Sequence, residues 1–198
     1  IKEGLEQAKN VRELEFSVKE REEIIKGLQL LTDKPVLYVC NVSESDAVSG
    51  NAMVEKAQAI ATTEGAEVLT LAVSIEADIN ELDTFEERLV FLEDLGLSEP
   101  GAAKLIQKAY ALLEQQTYFT AGEKEVRAWT IPMGATGPQA AGVIHTDFEK
   151  GFIRAEVISY SDYVHYKTEA KVKEAGKMRI EGKDYIVQDG DVMHFRFN

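Results

Sequence analysis

The amino-acid sequence predicts an α/β fold, in which a parallel sheet with helices is followed by a smaller domain rich in β-strands. Three features support this prediction. An apolar run without alternation lies within Pro35–Glu44, which is typical of a strand buried on both faces of a parallel sheet. A helix and a second apolar strand complete a βαβ pattern within about 40 residues. After Thr117 the pattern changes to short alternating segments separated by turns.

The composition is that of an ordinary globular protein. The chain has 198 residues, of which 44% are hydrophobic, enough for one large or two small domains. No apolar run approaches the ~20 residues that a membrane-spanning helix needs, so we expect no membrane partner. The single cysteine, Cys40, excludes an internal disulfide and favours a reducing compartment, so a cytoplasmic location is predicted.

The charge is unevenly distributed along the chain. The net charge of −13 divides into −12 for residues 1–117 and −1 for residues 118–198. The acidic part repels a phosphate backbone at long range. Any contact with nucleic acid is therefore expected from residues 118–198 or from whatever precedes Ile1.

Residues 1–34 are predicted to form a helical segment. A charged run at residues 19–23 is interpreted as a solvated helix face, and Pro35 ends the segment, since proline disfavours helix in the residue before it. An apolar stripe follows the charged run, formed by Ile24, Ile25, Leu28, Leu30 and Leu31.

Residues 35–117 are predicted to form the α/β domain. Ser49-Gly50-Asn51 supplies capping residues for a helix that ends near Gly65, and Glu67–Val73 is the second buried strand, parallel to the first. Two further helices are predicted at Asp78–Glu93 and Pro100–Gln115, because their leucines repeat at helical spacing.

Residues 118–198 are predicted to form a β-grasp domain, ubiquitin-like in architecture. It opens with a hairpin whose strands, Tyr118–Thr120 and Val126–Ile131, flank a turn at residues 121–124. A helix at Gln139–His145 and a strand at Phe152–Ile158 follow. Three short strands complete the domain, at Met178–Ile180, Tyr185–Val187 and Val192–Phe197.

The candidate binding site lies where the first strand ends. Ligands of parallel sheets bind at the carboxyl ends of the strands, and Asn41, Val42 and Glu44 occupy this place. In nucleotide-binding GTPases the strand ends in Asn-Lys-x-Asp, whose amide and carboxylate bind guanine. Here the lysine is absent and the carboxylate is one methylene longer, while the Asn41 amide still matches the N6/N7 edge of adenine. The second strand ends at Ser74-Ile75-Glu76, where GTPases carry a Ser-Ala-Lys-like loop that supports the base from the side, so a loop with this role is expected here, with Glu76 in place of the lysine.

These motifs resemble the YchF or Obg-like ATPase family. The resemblance rests on the Asn-Val-Ser-Glu loop and on two C-terminal runs, KGFIRAEVISYSDYV and DGDVMHFRFN. Three more segments resemble the TGS domain, a β-grasp module, namely Ile131–Thr136, Gly142–Asp147 and Tyr185–Val192. The resemblance implies that residues 1–34 are the end of a coiled-coil arm and the following helix. Residues 35–117 are then the C-terminal part of a P-loop NTPase-type domain with a partial parallel sheet, and residues 118–198 are a TGS domain.

The resemblance also implies a function. Family members are P-loop nucleoside triphosphate hydrolases, so we expect a ribosome-associated protein that binds ATP with Mg²⁺ at least as well as GTP. The base contacts would come from Asn41, Val42, Glu44, Ser74 and Ile75. The TGS domain would contact RNA or the ribosome.

The phosphate-binding part of such a site is absent from the sequence. There is no G-x-x-x-x-G-K-[ST] motif, and the glycine-rich run Gly134–Pro138 lacks the required lysine. Because the chain begins with Ile1 rather than methionine, we expect a P-loop region to precede it in the full-length protein. The chain alone is expected to contain no catalytic residue, to bind neither a metal nor any other cofactor, and to be inactive. The alternative function is a non-catalytic docking module for the ribosome or another protein.

Two other motifs have competing interpretations. His145 and Asp147 could hold a metal, but a His-x-Asp pair without further ligands favours His145 as a helix cap. A basic run between Lys167 and Arg179 follows three tyrosines, Tyr160, Tyr163 and Tyr166. Aromatic and basic residues together can bind RNA, yet the interspersed glutamates favour a solvated helix face.

Overall fold

The computed structural model describes residues 1–122 and 125–198. They divide into two compact units, Ile1–Leu113 and Glu114–Asn198. The predicted hairpin turn falls partly on Glu123 and Lys124, which lie outside the described residues. Within the described part, no helix is long and apolar enough to span a bilayer.

The first 34 residues are helical only in short pieces, so the predicted helical segment is interrupted. Helix α1 (Lys2–Glu6) ends before Ala8, which has a positive φ of 57°. After a 3₁₀ turn (Val11–Glu13), α2 (Val18–Glu20) continues through a π-helical turn (Arg21–Ile25) into α3 (Lys26–Leu28), and a second 3₁₀ turn follows (Leu31–Asp33).

The predicted apolar stripe of this segment is mostly exposed. Ile25 is buried, whereas Ile24, Leu28 and Leu31 are each more than half exposed. The interruptions explain this result, because a stripe stays on one face only while the helix keeps a 3.6-residue period.

The two predicted strands of the first unit are parallel, as expected. Strand β1 (Leu37–Asn41) pairs with β2 (Glu67–Leu71) in a register that runs from Leu37↔Glu67 to Asn41↔Leu71. They are joined by a 3₁₀ turn (Glu44–Asp46) and by α4 (Ala52–Glu64). A cap within Ser49-Gly50-Asn51 is confirmed, and the structure identifies it as Asn51, since the Asn51 Oδ1 accepts the N–H groups of Met53 and Val54.

The prediction that β1 is buried on both faces is wrong for this chain. The sheet has two strands among the described residues, so one edge of β1 is unpaired. Val39 is 45% exposed, and Cys40 is only half-buried. Burial depends on how many strands flank β1, which its own residue types do not reveal.

Three helices complete the first unit: α5 (Val73–Glu81), α6 (Phe85–Asp94) and α7 (Gly101–Leu112). The predicted helix Asp78–Glu93 is divided at Thr84. The Thr84 hydroxyl accepts the Glu87 N–H and the Glu87 carboxylate accepts the Thr84 N–H, a capping box that starts α6. Ala72, Ile75, Ile79 and Leu92 form the core beneath these helices.

The second unit is a five-stranded mixed sheet with helices. Its elements are β3 (Gln115–Ala121), β4 (Val126–Pro132), α8 (Gly137–Ile144), α9 (Thr146–Lys150), β5 (Phe152–Ile158), α10 (Tyr160–Tyr166), α11 (Glu169–Glu174), β6 (Arg179–Glu181) and β7 (Val192–Phe197). The strand order is β4-β3-β7-β5-β6, with β3 and β7 parallel and the other neighbours antiparallel. The predicted hairpin strands, the helix before His145 and the strand Phe152–Ile158 are confirmed, apart from shifts at their ends.

The predicted strand Tyr185–Val187 is wrong. Ile186 forms one isolated bridge with Thr136. The Tyr185 carbonyl accepts the Gly137 N–H at the start of α8, and the Val187 N–H donates to the Ala135 carbonyl in the loop before that helix. The side chain of Asp191 explains the turn that follows, because it is buried and accepts hydrogen bonds from the Tyr185 hydroxyl at 2.6 Å and the Gln188 N–H at 2.9 Å. These bonds hold the backbone in a turn.

Candidate base-binding site

Asn41, the last residue of β1, is fixed by its own side chain. Its Oδ1 accepts the backbone N–H of Val73 at 3.1 Å. Because a backbone N–H can only donate, the amide oxygen must face Val73, and the two Nδ2 hydrogens remain as donors. The structure therefore holds Asn41 as a donor at the carboxyl end of the sheet, so its amide can meet N7 of adenine, while its oxygen is not available to the N6 amino group as the sequence led us to expect.

Val42 presents an acceptor at the same edge. Its N–H donates to the Leu71 carbonyl at 2.9 Å and extends the parallel ladder by one bond. In a continued ladder, the Val73 N–H would bond the Val42 carbonyl. The Asn41 side chain takes that N–H instead, so the Val42 carbonyl accepts no hydrogen bond from any residue that the structure describes.

Glu44 is an exposed carboxylate at the start of the 3₁₀ turn. It has no hydrogen-bond or ion-pair partner within the described part of the chain. The loop is held farther along, where the Asn51 Nδ2 donates to Asp46 at 2.8 Å. Glu44 therefore combines an anchored backbone with a side chain that is free to rotate.

The structure separates Ser74 and Ile75, which were both expected in a loop beside the base. Both belong to the first turn of α5, because β2 ends at Leu71, so the loop prediction is wrong. Ser74 is exposed, whereas Ile75 is 2% exposed and packs in the core. The four-residue spacing of Ile75 and Ile79 is the sequence signal that could have placed this helix.

Val73 is the residue that the sequence reasoning missed. Its N–H is bonded to Asn41, and its side chain is 54% exposed at the same edge. An exposed valine beside fixed polar groups offers an apolar surface to a planar ring. The candidate site thus consists of a donor, an acceptor, a mobile carboxylate and an apolar contact, from Asn41, Val42, Glu44 and Val73.

Glu76 links α5, which begins at Val73, to the start of α7. Its carboxylate accepts the Gly101 N–H at 2.6 Å and the Ala102 N–H at 3.0 Å, which are free donors at the start of α7. A Cβ on Gly101 would lie 2.8 Å from the Leu71 Cβ and 2.9 Å from the Glu76 carboxylate. A larger residue than glycine would therefore overlap with its neighbours at position 101. The N-terminus of α7 favours a negative charge beside it, which gives Glu76 a structural role at the position where GTPases carry lysine.

The other sequence motifs do not add to the site. His145 directly follows α8, as the predicted cap requires, but its Nδ1 accepts the Asp147 N–H at 3.1 Å and so caps the start of α9, a helix that the sequence did not predict. No group of three or more metal-ligating side chains occurs among the described residues. Tyr163 and Tyr166 pack beside the buried Val172, which leaves them unsuited to stack on RNA bases and favours the solvated-face interpretation of the basic run.

Comparisons with known proteins agree with the sequence motifs. Residues 115–198 match the model of the family YchF-GTPase_C, described as "Protein of unknown function (DUF933)". The chain is similar to the "Ribosome-binding ATPase YchF" of Pasteurella multocida, with 57% identity over 98% of this chain and 53% of the relative. The protein of the same name from Bacillus subtilis is 52% identical over 100% of this chain and 54% of the relative.

A solved structure shows the same similarity in three dimensions. The Schizosaccharomyces pombe YchF GTPase superposes with a TM-score of 0.81 and 38% identity, over 96% of this chain and 50% of that protein. The chain thus spans about half the length of the relatives it matches.

Proposed function

Since this chain belongs to the YchF family, we propose that it carries the base-recognition edge of a nucleotide site that accepts ATP at least as well as GTP. This proposal rests on the hydrogen bond from the Val73 N–H to the Asn41 Oδ1. It sets both polar groups that a purine would meet, since it leaves Asn41 as a donor and the Val42 carbonyl as an acceptor.

This pair of groups matches adenine better than guanine. Both bases offer an N7 acceptor to the Asn41 amide, but adenine places an N6 amino donor where guanine places the O6 acceptor. The Val42 carbonyl attracts the amino group and repels O6. A matched pair of contacts contributes ~1–3 kcal/mol, or about fivefold to more than a hundredfold in affinity.

Glu44 adds little to guanine selection. A carboxylate that binds the N1–H and N2 amino donors of guanine must be held still, and no described residue holds the Glu44 carboxylate. Fixing its rotatable bonds would cost conformational entropy. Ser74, at the exposed start of α5, is proposed to bound the pocket together with Val73, while Ile75 supports that turn from the core.

The hydrolytic groups are proposed to lie in the part of the family's proteins that this chain does not span. ATP hydrolysis needs a phosphate cradle and Mg²⁺, and the described residues offer neither a P-loop sequence nor a cluster that fits a metal. The residues described here would bind and orient the base. We expect no hydrolysis by the chain alone.

The second unit is proposed to be a TGS domain of β-grasp architecture that docks on the ribosome. Its first and last strands are parallel neighbours at the centre of the sheet, and a hairpin and a helix follow the first strand, which supports a β-grasp. Its relatives are named ribosome-binding, and ribosome association would place the protein in the cytoplasm. The residues that contact RNA are considered in the next subsection.

Titration of ¹⁵N-labelled chain with adenosine and guanosine tests the nucleotide proposal. Adenosine should shift the amide signals of Val42 and Val73 at lower concentration than guanosine. Asn41→Ala should weaken adenosine binding, and Glu44→Asp should shift preference toward guanosine. Stronger binding of guanosine by the wild type would contradict the adenine assignment, and the absence of shifts with either nucleoside would favour the docking-module alternative.

A further inference from the structure

Two arginines face each other on the exposed surface of the second sheet. The antiparallel register of β5 and β7 pairs Arg154 with Arg196, and the next pair on the same face is Glu156 with His194. Side chains directly opposite on antiparallel strands have Cβ atoms about 4.5–5.5 Å apart, and like charges in this position destabilise the sheet. We name these four residues the arginine block.

The charges within the arginine block are only partly compensated. Glu156 accepts from the Nε and Nη2 of Arg196, at 3.4 and 3.1 Å. Arg154 has no hydrogen-bond or ion-pair partner among the residues described. Two guanidinium groups therefore stand beside one carboxylate, so Arg154, Arg196 and Glu156 together carry a net charge of about +1.

The carboxylate responds to all three basic neighbours. The pKa of Glu156 is lowered, first by the hydrogen bond from Arg196, and then by the positive charges of Arg196, His194 and Arg154, while desolvation opposes them. The four side chains thus act as one electrostatic cluster. The bonds to Glu156 hold the Arg196 guanidinium in place and leave its Nη1 free to donate.

The arginine block is accessible from solvent. Farther along the same face, Ile158 and Val192 are covered by residues of α10 and α11, but Arg154, His194 and Arg196 are exposed. Next to Arg154, the strand register shifts between Phe152 and Arg154. Such bulges redirect side chains and recur beside functional sites.

We propose that the arginine block binds a phosphate group of RNA between Arg154 and Arg196. Guanidinium groups bind phosphate oxygens in a paired, planar geometry. A phosphate placed between them would relieve the repulsion that the register imposes. This inference rests on the ribosome-docking part of the proposed function, and it identifies the contact residues.

RNA is favoured over an acidic protein segment by the neighbouring apolar surface. Ile180 on β6 pairs with Glu156 in register and is 65% exposed, so it lies beside the cluster and offers contact to a sugar or base. Residues 114–198 also lack the strong negative charge of the first unit, which would repel a polyanion.

Fluorescence anisotropy with a labelled single-stranded oligouridylate tests the proposal. Arg154→Gln and Arg196→Gln should each weaken binding about three- to tenfold at low salt, and the double variant more. The slope of log K against log salt should fall by about one for each arginine removed. Arg127→Gln is the matched control, because Arg127 lies over the Trp129 ring on the other face of the sheet, and it should bind like the wild type.

The same variants show whether the substitutions affect folding and whether the arginine block prefers RNA to an acidic peptide. Arg154→Gln should unfold at the same temperature as the wild type or a higher one, because it removes like-charge repulsion. A double variant that binds oligouridylate as tightly as the wild type would overturn the inference. The inference would also be overturned if a labelled oligoglutamate bound the wild type as tightly as oligouridylate and if the substitutions weakened its binding to the same extent.

Cosedimentation with ribosomes separates this inference from the proposed function. If the wild type cosediments and the double variant does so equally, the arginine block is not the contact, and ribosome docking stands. If neither cosediments while oligouridylate binding still needs both arginines, the phosphate site stands and ribosome docking by this chain is wrong.

Discussion

Replacing Glu76 with alanine should destabilise the first unit and loosen the candidate site. The substitution removes two charge-assisted hydrogen bonds, to Gly101 and Ala102, at 2.6 and 3.0 Å. It also removes a negative charge from the N-terminus of α7. Loss of a comparable helix cap costs about 0.5–2 kcal/mol, and the lost charge about 0.3–1 kcal/mol more. We expect a loss of about 2 kcal/mol in the free energy of unfolding.

Urea denaturation followed by far-UV circular dichroism measures this loss. For a slope of about 1–3 kcal/mol per M, a loss of 2 kcal/mol lowers the midpoint by roughly 1 M. Glu81→Ala is the matched control, since Glu81 is an exposed glutamate at the end of the same helix. Trp129, the single tryptophan, lies in the second unit, so its fluorescence transition should stay unchanged.

Two results would contradict this role of Glu76. If Glu76→Ala and Glu81→Ala unfold at the same midpoint, the bonds to α7 contribute nothing measurable. If the fluorescence of Trp129 moves together with the dichroism, the loss is not confined to the first unit. The amide signal of Val73 provides a local check, because it should broaden or shift in Glu76→Ala and not in the control.

Three further predictions concern individual contacts. Gly101→Ala should cost about 1–3 kcal/mol by overpacking against Leu71, measured as a lower urea midpoint by circular dichroism, whereas Gly27→Ala should not, since its Cβ meets open space. Asp191→Ala should lower the midpoint of the Trp129 fluorescence transition by more than Asp184→Ala, because buried Asp191 accepts from Tyr185, Gln188 and Arg179; equal effects would contradict this. Desolvation and the bond to Asp191 raise the pKa of Tyr185 to about 12. The unfolded chain therefore loses this proton first, and the free energy of unfolding should fall as the pH rises from about 10 to 12. In urea titrations over this pH range, the free energy of unfolding of Tyr185→Phe should fall less steeply than that of the wild type.

The sequence predicted best those elements whose signals are local. Strand Phe152–Ile158 has the bounds expected from its composition. The parallel pairing of β1 and β2 followed from their spacing, because only a crossover connection joins two strands across a helix.

The predictions were wrong where contacts between residues distant in the sequence determine the structure. The apolar run continues through Ala72 to Val73, and Val73 is β-branched, so the residue types favour a strand where the structure begins α5. The exposure of Val39 depends on the number of neighbouring strands, and the bonds of Glu76 join residues 25 positions apart. Residue type identified Asn41 as a candidate, but only its bond to Val73 shows which end of the amide is left for a ligand.

We propose that the Val42 carbonyl, left without a partner because Asn41 bonds the Val73 N–H, selects the amino group of adenine. Adenosine, purine riboside and inosine differ chiefly at the ring position that this carbonyl would face, carrying an amino group, hydrogen and oxygen in turn. Titrated against the ¹⁵N-labelled chain, they should bind in that order, with adenosine at least about tenfold tighter than inosine. Inosine binding as tightly as adenosine would contradict the claim.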